Sequence, residues 1–457
     1  MSIERFRGVL AAGLVATALG GCATADPAAT VAATGRTLAE RGVAGVEWRR
    51  GEDSRAEAVA RSRALLAAPL TPATAAEVAL LRSPALEATL AGLGVAQADL
   101  AQATRLANPG VSYSTLSGGG HEQVTTGVAA DVVDWLTQPL RRRLAEAELE
   151  RVKLAVAAAV FEQVTSTQDA LVELQAAEAL AERLTRIEAI DRAAADYAIA
   201  LHGAGNLTPR ERANAEAGWA ETRGELALAR AAAARQREAV TRALGLSSVE
   251  AWSAGPLAEP PPLPGRELSE LEALAVEQRL DLAAAHWAVD AVERARTLRR
   301  RTRWLPVGVH LGVERERDIA ETTITGPTIE LALPVFDTGR ASLARLDGEL
   351  ARARAQVAGL ELAIRSEVRE KAGDLAAALE LAALYRETVL PLRRQVLEQT
   401  LREYNQMLVG TFEVLIAKQE EIEAEKRHLE AVAGAWTARL ELARALGTML
   451  HDSRGEP

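Results

Sequence analysis

The stretch Leu305-Pro306-Val307-Gly308-Val309-His310-Leu311-Gly312-Val313 decides the fold, because the chain holds a second version at Asn108-Pro109-Gly110-Val111-Ser112-Tyr113-Ser114-Thr115. In both places a helical pattern stops at a proline and an alternation of period two begins. Val111, Tyr113 and Thr115 alternate with Ser112 and Ser114. After Gly118-Gly119-Gly120, Val124, Thr126, Val128, Ala130 and Val132 share one face. In the other copy Val307, Val309, Leu311 and Val313 alternate with Gly308, His310, Gly312 and Glu314. Beyond a polar loop, Ile329, Leu331 and Leu333 alternate with Thr328, Glu330 and Ala332. Segments of about ten residues, apolar on one side and small or polar on the other, fit transmembrane barrel strands. Each taken alone also reads as a half-buried soluble hairpin. Aligned on their prolines, the two copies run one residue out of phase, which predicts a bulge, an indel or a shifted strand start.

Each strand pair leads into a charged, alanine-rich stretch that closes on the same tripeptide, Ala243-Leu244-Gly245 and Ala445-Leu446-Gly447. From Leu343 the apolar positions are 343, 346, 350, 353, 357, 360 and 364. Steps of three and four in alternation make a heptad seam. A helix from about Thr338 to Met407 is on the order of 100 Å long at 1.5 Å per residue, and its counterpart from about Pro139 to Leu201 roughly 90 Å. Only Pro391 interrupts the second-copy helix. Gly203-Ala204-Gly205-Asn206 and Val409-Gly410-Thr411 are turn signals at which those helices reverse.

These patterns divide the chain into a signal peptide at 1–21 and a lipidated, partly irregular N-terminal segment at 22–82, with Thr71 or Thr74 capping a following helix. A first repeat at 83–252 opens on a helix from Ser83 to Leu106 and has strands at about 109–117 and 123–135 and a helical hairpin at about 139–245. A Pro-rich linker at 253–267 separates it from a second repeat at 268–447. There the strands fall at about 306–315 and 322–335 and the hairpin at about 338–447, before a tail at 448–457.

Aromatic residues make up only 3% of the chain, with alanine, leucine, arginine and glutamate dominant, the balance of long helices and coiled coils. A net charge of −10 without a basic stripe argues against nucleic acid. The one cysteine, Cys22, excludes an intrachain disulfide or a CxxC site. It follows Arg5, Arg7, an apolar run and Leu19-Gly20-Gly21, the layout of a secretory signal peptide ending in a bacterial lipobox. Cys22 is therefore expected to carry a covalent lipid, thioether-linked diacylglycerol with N-acylation such as palmitate. No other cofactor and no metal is expected. Ala23, where an aspartate would retain the protein at the inner membrane, points to the outer membrane. No later segment offers about 18 apolar residues, so any crossing must be made by strands.

Four strands cannot close a barrel, since membrane barrels begin at about eight. An open sheet cannot sit in lipid with its edge groups unpaired. Three chains give twelve strands, cyclic symmetry closes the ring, and the same trimer gives each pair of helical hairpins neighbours on both sides. The expected fold class is mainly α with a small β part. It comprises two structural repeats, each helix, two β-strands and long α-helical hairpin, in a trimeric 12-stranded β-barrel continued by an α-helical barrel.

The chain resembles the TolC-like outer membrane efflux proteins, in the lipoprotein branch of resistance-nodulation-division tripartite systems. The resemblance rests on Asn108-Pro109, on Leu333-Pro334-Val335-Phe336-Asp337-Thr338-Gly339-Arg340, and on Gly410 at a hairpin tip. In the octapeptide, Pro334 ends a strand, Asp337 or Thr338 caps a helix and Gly339 permits a close turn, with Arg340 completing the junction. The resemblance implies a passive trimeric duct in the outer membrane of a Gram-negative bacterium, with a large periplasmic part. It also implies partners: a periplasmic adaptor that opens the duct, an energised inner-membrane pump, and outer membrane lipid. The tip positions that match are Gly205, Asn206, Leu207 and Thr208 in the first hairpin and Val409, Gly410 and Thr411 in the second. Phe412 and Pro209 depart from the family pattern.

Asp191, Asp196, Glu403 and Glu413 lie near the tips. Either symmetry turns them into acidic rings that narrow the pore and favour cations, or they are solvated helix faces paired with Arg192, Arg210 and Arg402. Arg299, Arg300, Arg301 and Arg303 precede the second strand pair. They are either a barrel rim facing lipid head groups, with Trp304 and Trp135 as anchors, or a solvated helix end. No HExxH, GxSxG or P-loop stretch supports catalysis. The competing reading is a lipid-anchored periplasmic coiled-coil scaffold or adaptor protein, although adaptors carry one hairpin where this chain carries two.

Overall fold

The structure, a computed structural model, describes residues 27–47, 49, 51–118, 121–247, 250–262, 265–304, 307–317, 323–332, 336 and 338–450. The signal peptide, Cys22, Pro334, Asp337 and residues 451–457 lie outside the described residues. In chain order the helices are α1 (Ala28–Ala39), α2 (Glu52–Leu66), α3 (Pro72–Arg82) and α4 (Pro84–Thr104), followed by strands β1 (Gly110–Gly118) and β2 (His121–Asp131). Helices α5 (Val132–Gly203) and α6 (Pro209–Ala243) complete the first hairpin. The second copy runs α7 (Leu268–Gln278), α8 (Leu280–Thr302), β3 (Val307–Arg317) and β4 (Thr323–Ala332). It continues through α9 (Arg340–Leu384), a π-helical turn at Tyr385–Val389, α10 (Leu390–Asn405) and α11 (Thr411–Leu446). Among the described residues no single helix is long and apolar enough to cross a membrane. The chain divides into two units, one of Met1–Val31, Ala91–Val152 and Asp290–Leu350, the other of Ala32–Leu90, Lys153–Val289 and Ala351–Pro457.

The first unit holds one antiparallel sheet of four strands in the order β1-β2-β3-β4. Its register sorts the side chains by face. Val111 lies opposite Val128, Val128 opposite Val313, and Val313 opposite Pro327. The next row on that face is Ala130, Leu311 and Ile329. The other face carries Ser112, Gly127, Glu314 and Gly326 in one row and Ser114, Thr125 and Glu316 in the next. Val111, Val128, Val313 and Ile329 are exposed, so the apolar face is uncovered by the chain's own helices. The outer edges of β1 and β4 have no partner strand within the sheet.

The phase slip between the copies is a β-bulge. Between Val307 and His310 the β3 chain advances three residues while β4 advances two, from Ala332 to Glu330. One extra residue flips every side chain beyond it to the opposite face, which is the discrepancy the sequence displays.

One strand limit is corrected. The strand expected to reach 135 stops at Asp131, because its Oδ1 accepts from the N–H groups of Val133 (2.9 Å) and Asp134 (3.1 Å) and so caps α5. The hairpin helix consequently begins seven residues before 139, with Pro139 inside it. The strand expected over 322–335 is described over Thr323–Ala332; residues 322 and 333–335 lie outside the described residues.

The N-terminal segment expected to be partly irregular holds two regular helices, α1 and α2, with non-helical chain between them, and α2 is tied to its neighbours by the Arg61–Glu77 and Arg55–Glu87 ion pairs. Thr71 and Thr74 act together, Thr71 as N-cap of α3 and Thr74 returning its hydroxyl to the Thr71 N–H (2.8 Å). The helix expected from Ser83 runs Pro84–Thr104; Ser83 is the extended residue after α3, and α3 and α4 meet at 56°. The same bend recurs at Arg279, between α7 and α8. The internal repeat therefore begins at α3 and α7, one short helix earlier than 83 in the first copy.

The heptad seam is present. Leu350, Ile364, Val368 and Leu375 are buried. Ile364, Val368, Ala372 and Leu375 pack with Leu271, Ala275, Leu282, Ala438 and Leu442 in one cluster. The first copy repeats this with Val78, Ala79, Leu171, Leu174, Val240 and Leu244. Alanines at these contacts let the backbones approach closely. The doubled Ala-Leu-Gly closes both returning helices in the same way. Gly245 (φ +68°) and Gly447 (φ +71°) adopt the left-handed conformation that ends a helix. Each rests on the bend of the preceding short helix pair, Gly245 on Arg82–Ser83 and Gly447 on Gln278–Arg279. The linker is held down rather than free: Leu70 N–H donates to Ser253 O (2.8 Å), and Trp436 Nε1–H donates to Ala258 O (2.7 Å).

Candidate functional site

Both hairpin turns belong to the second unit. At the first, α5 unwinds through Gly205 N–H to His202 O (2.9 Å) and Asn206 N–H to Leu201 O (2.9 Å), with Gly205 at φ +76°. His202 Nδ1–H donates to Leu207 O (2.8 Å) and closes the turn from below. Thr208 then caps α6: its hydroxyl accepts from Glu211 N–H (3.3 Å), while Glu211 Oε2 accepts the Thr208 N–H (2.9 Å). Those bonds to Thr208 hold the Glu211 carboxyl below its ordinary range. Pro209 occupies the first helical position, where no N–H is needed.

At the second turn Leu408 N–H donates to Glu403 O (2.9 Å), and Met407 takes a left-handed conformation at φ 60°. Gly410 is the N-cap of α11, its N–H donating to Glu413 Oε2 (3.0 Å), and Thr411 is the first helical residue. Phe412 meets Tyr197 of α5, ring centroids 5.3 Å apart. That contact brings the two tips side by side and gives a reason for the aromatic residue there. Met407 is 93% exposed and Leu408 69% exposed, so the second tip presents apolar side chains that cap nothing within the chain. The sequence reading missed these two. A pair of large apolar residues inside a turn was the available signal.

The four acidic residues are not gathered into one cluster. Glu413 is committed to the Gly410 cap, and Asp196 sits 4.0 Å from Arg192, one of the ordinary pairs. Glu403 is exposed and contributes its backbone carbonyl to the turn. Asp191 differs. Thr222 Oγ1–H donates to its Oδ2 (2.5 Å), and burial pushes its carboxyl above the ordinary range, against that bond and with help from Glu188 and Glu225. A raised folded-state pKa means that the ionised side chain costs stability as pH rises past the usual carboxylate range. Asp191 lines an open cleft of about 760 Å³ with Trp219, Thr222, Tyr385, Arg393 and Glu423. Trp219 Nε1–H donates to Glu188 Oε1 (2.7 Å) in the same region. Among the described residues no group of His, Cys, Asp and Glu is arranged to hold a metal ion.

At the strand-to-helix junction, Gly339 (φ +71°) packs beside Arg299 and Arg303. Arg340 is the first, exposed residue of α9. Trp304 and Trp135 are both exposed.

Comparison with solved structures places this arrangement. A membrane protein from Pseudomonas aeruginosa matches with a TM-score of 0.69 at 17% identity, over 82% of this chain and 92% of that one. The outer membrane protein VceC from Vibrio cholerae matches at 0.66 and 20% identity, over 83% and 96%. The CmeC outer membrane channel of Campylobacter jejuni matches at 0.66 and 13% identity, over 82% and 85%. The fold is that of the outer membrane channels. No protein-family model matches the chain, and no curated protein does. The likeness covers more than four-fifths of this chain in each case.

Proposed function

We propose that the chain is the outer membrane channel of a tripartite efflux or export system. It acts as a passive trimeric duct that carries small molecules or metal ions from periplasm to exterior. The observation that carries this reading is the four-stranded sheet with one uncovered apolar face and two unpaired edges. In lipid those edge N–H and C=O groups must find partners, and neighbouring copies supply them. Three copies give twelve strands and a closed wall, with Ser112, Ser114, Thr125 and Glu314 facing the water-filled lumen. The hairpins extend on the periplasmic side, and a lipid on Cys22 adds an anchor. The likeness to structures described as an outer membrane protein and an outer membrane channel supports the same reading.

The tips are the docking surface for a periplasmic adaptor, which couples the duct to an inner-membrane pump that selects the cargo. Gly205, Asn206, Leu207, Thr208, Val409, Gly410 and Thr411 form this surface together with Met407 and Leu408. Exposed apolar side chains held on rigid capped turns are suited to an interface core. Crosslinking tests the assignment. With a thiol-to-amine photocrosslinker on N206C or L408C in cells, the adduct is expected to be a periplasmic protein bearing a helical hairpin, identified by mass spectrometry. Adducts confined to chain-on-chain products contradict the tip assignment.

A further inference from the structure

We propose that the helix-side end of the sheet is a binding surface for anionic lipid phosphates, formed by Arg300, Arg301, Arg303 and Arg340 and flanked by Trp304 and Phe336. The inference rests on the membrane reading above and adds a lipid class to it. All four strands meet helices at one end of the sheet: β1 starts there, β2 ends at Asp131, β3 starts and β4 ends at Ala332. The last turn of α8 delivers the arginines to that end. Gly339 brings the start of α9 alongside, since a Cβ on it would lie 3.2 Å from Arg299 Nε and from Arg303 Cβ. Arg340 therefore joins the arginines of α8 in one patch.

The patch is net positive even when Asp337, between Phe336 and Arg340 in sequence, is counted. Arg300, Arg301 and Arg340 are exposed, and among the described residues none of the four arginines forms an ion pair with a carboxylate. The nearby acids among the described residues are placed elsewhere. Asp131 caps α5, and Asp134 pairs with Arg141 (2.7 Å) and accepts from Ala107 N–H (3.0 Å). Glu330 lies opposite His310 on the polar face of the sheet. The hairpin end of the sheet, by contrast, mixes Glu122, Glu314 and Glu316 with Arg315 and Arg317.

The apolar component sits beside the charge. Trp304 is 59% exposed and Phe336 fully exposed, both within a few residues of a strand end. The Arg303 guanidinium stacks on the Trp304 ring at 4.8 Å. An aromatic ring at head-group depth with guanidinium groups next to it matches the two layers of a lipid interface. Guanidinium groups bind phosphate oxygens in a bidentate manner, and an anionic lipid leaves a net charge that a zwitterionic lipid does not.

The test uses the full chain in nanodiscs of mixed phosphatidylcholine and phosphatidylglycerol, with the lipids retained on the protein counted by native mass spectrometry. Enrichment of phosphatidylglycerol by about fivefold over the bulk is expected, falling toward bulk composition as salt rises. The R300Q/R301Q/R303Q/R340Q variant is expected to enter nanodiscs normally and show no enrichment. Its all-lysine counterpart, which keeps the charge, is expected to retain most of it. If the glutamine variant does not enter, the salt titration of the wild type and the lysine variant decide the matter. Entry of the wild type with bulk lipid composition overturns this inference alone, whereas failure of the wild type to enter at all contradicts the membrane reading itself.

Discussion

The V313R variant is expected not to assemble in the outer membrane. Val313 lies near the middle of β3, 57% exposed, with Val128 and Pro327 opposite it on the uncovered apolar face. A cation at the centre of a lipid-facing strand costs about 2–4 kcal/mol. Threefold symmetry multiplies that cost, so about 6–12 kcal/mol falls on one assembly, comparable to the whole stability of an ordinary domain. The paired control is T125R. Thr125 lies opposite Ser114 and Glu316 on the polar face, where an arginine meets water and a carboxylate. Membrane fractionation followed by detergent extraction reads the outcome: V313R absent from the outer membrane, T125R present near wild-type level. Equal assembly of both contradicts the assignment of faces.

The second large effect is expected at Gly245. A Cβ there would lie 2.4 Å from Arg82 O and 2.9 Å from Ser83 Cα, both backbone atoms that cannot swing aside. The residue is also at φ +68°, which disfavours any β-branched side chain. Its neighbours Leu244 and Leu246 are anchored in the same buried cluster as Leu70 and Leu171, so the turn cannot shift without opening that cluster. G245V is expected to destabilise the chain by more than about 4 kcal/mol. G447V should cost less, since its nearest contact, Arg279 Cα, is at 3.0 Å. In G218A the added methyl meets nothing within 4 Å and the position is mid-helix, so about 0.5–1 kcal/mol of stabilisation follows. Thermal melts by circular dichroism in detergent should rank the variants in that order. A G245V melt at the wild-type temperature contradicts the packing of the repeat.

The features legible in the sequence were those with a period or a repeat. Strand alternation located all four strands, and the heptad positions from Leu343 to Ile364 became the less exposed face of α9. Ala-Leu-Gly marked both helix ends because only glycine suits the left-handed closure. The misses have local causes. Val132 and Val133 continue the apolar run of β2, and only the side chain of Asp131 turns that run into a helix start. Pro139 looked like a first helical position but is tolerated inside α5. Helix α2 lacks a strong apolar stripe, and its order comes from long-range partners such as Arg55 with Glu87 (2.5 Å). The π-helical turn at Tyr385–Val389 precedes Pro391 and absorbs its missing N–H, a detail that propensity does not encode. At the candidate site the turns themselves were readable. The Met407-Leu408 tip had a signal in two large apolar residues inside a turn, whereas the Asp191–Thr222 bond needed the two hairpin arms to be brought together.

The central claim is that the edges of β1 and β4 pair between copies to close a ring of three. It is tested most directly with one cysteine in each edge strand, S114C and I324C, which share the polar-face row Ser114-Thr125-Glu316-Ile324, joined by a bis-maleimide of about 8 Å in intact outer membranes. Within one chain the two strands are three strand spacings of about 4.8 Å apart, beyond the reach of that linker. Pairing between copies predicts dimer and trimer bands that end at the trimer, appearing only when both cysteines are present. Monomer alone, or a ladder that continues past three, contradicts the closed trimeric barrel.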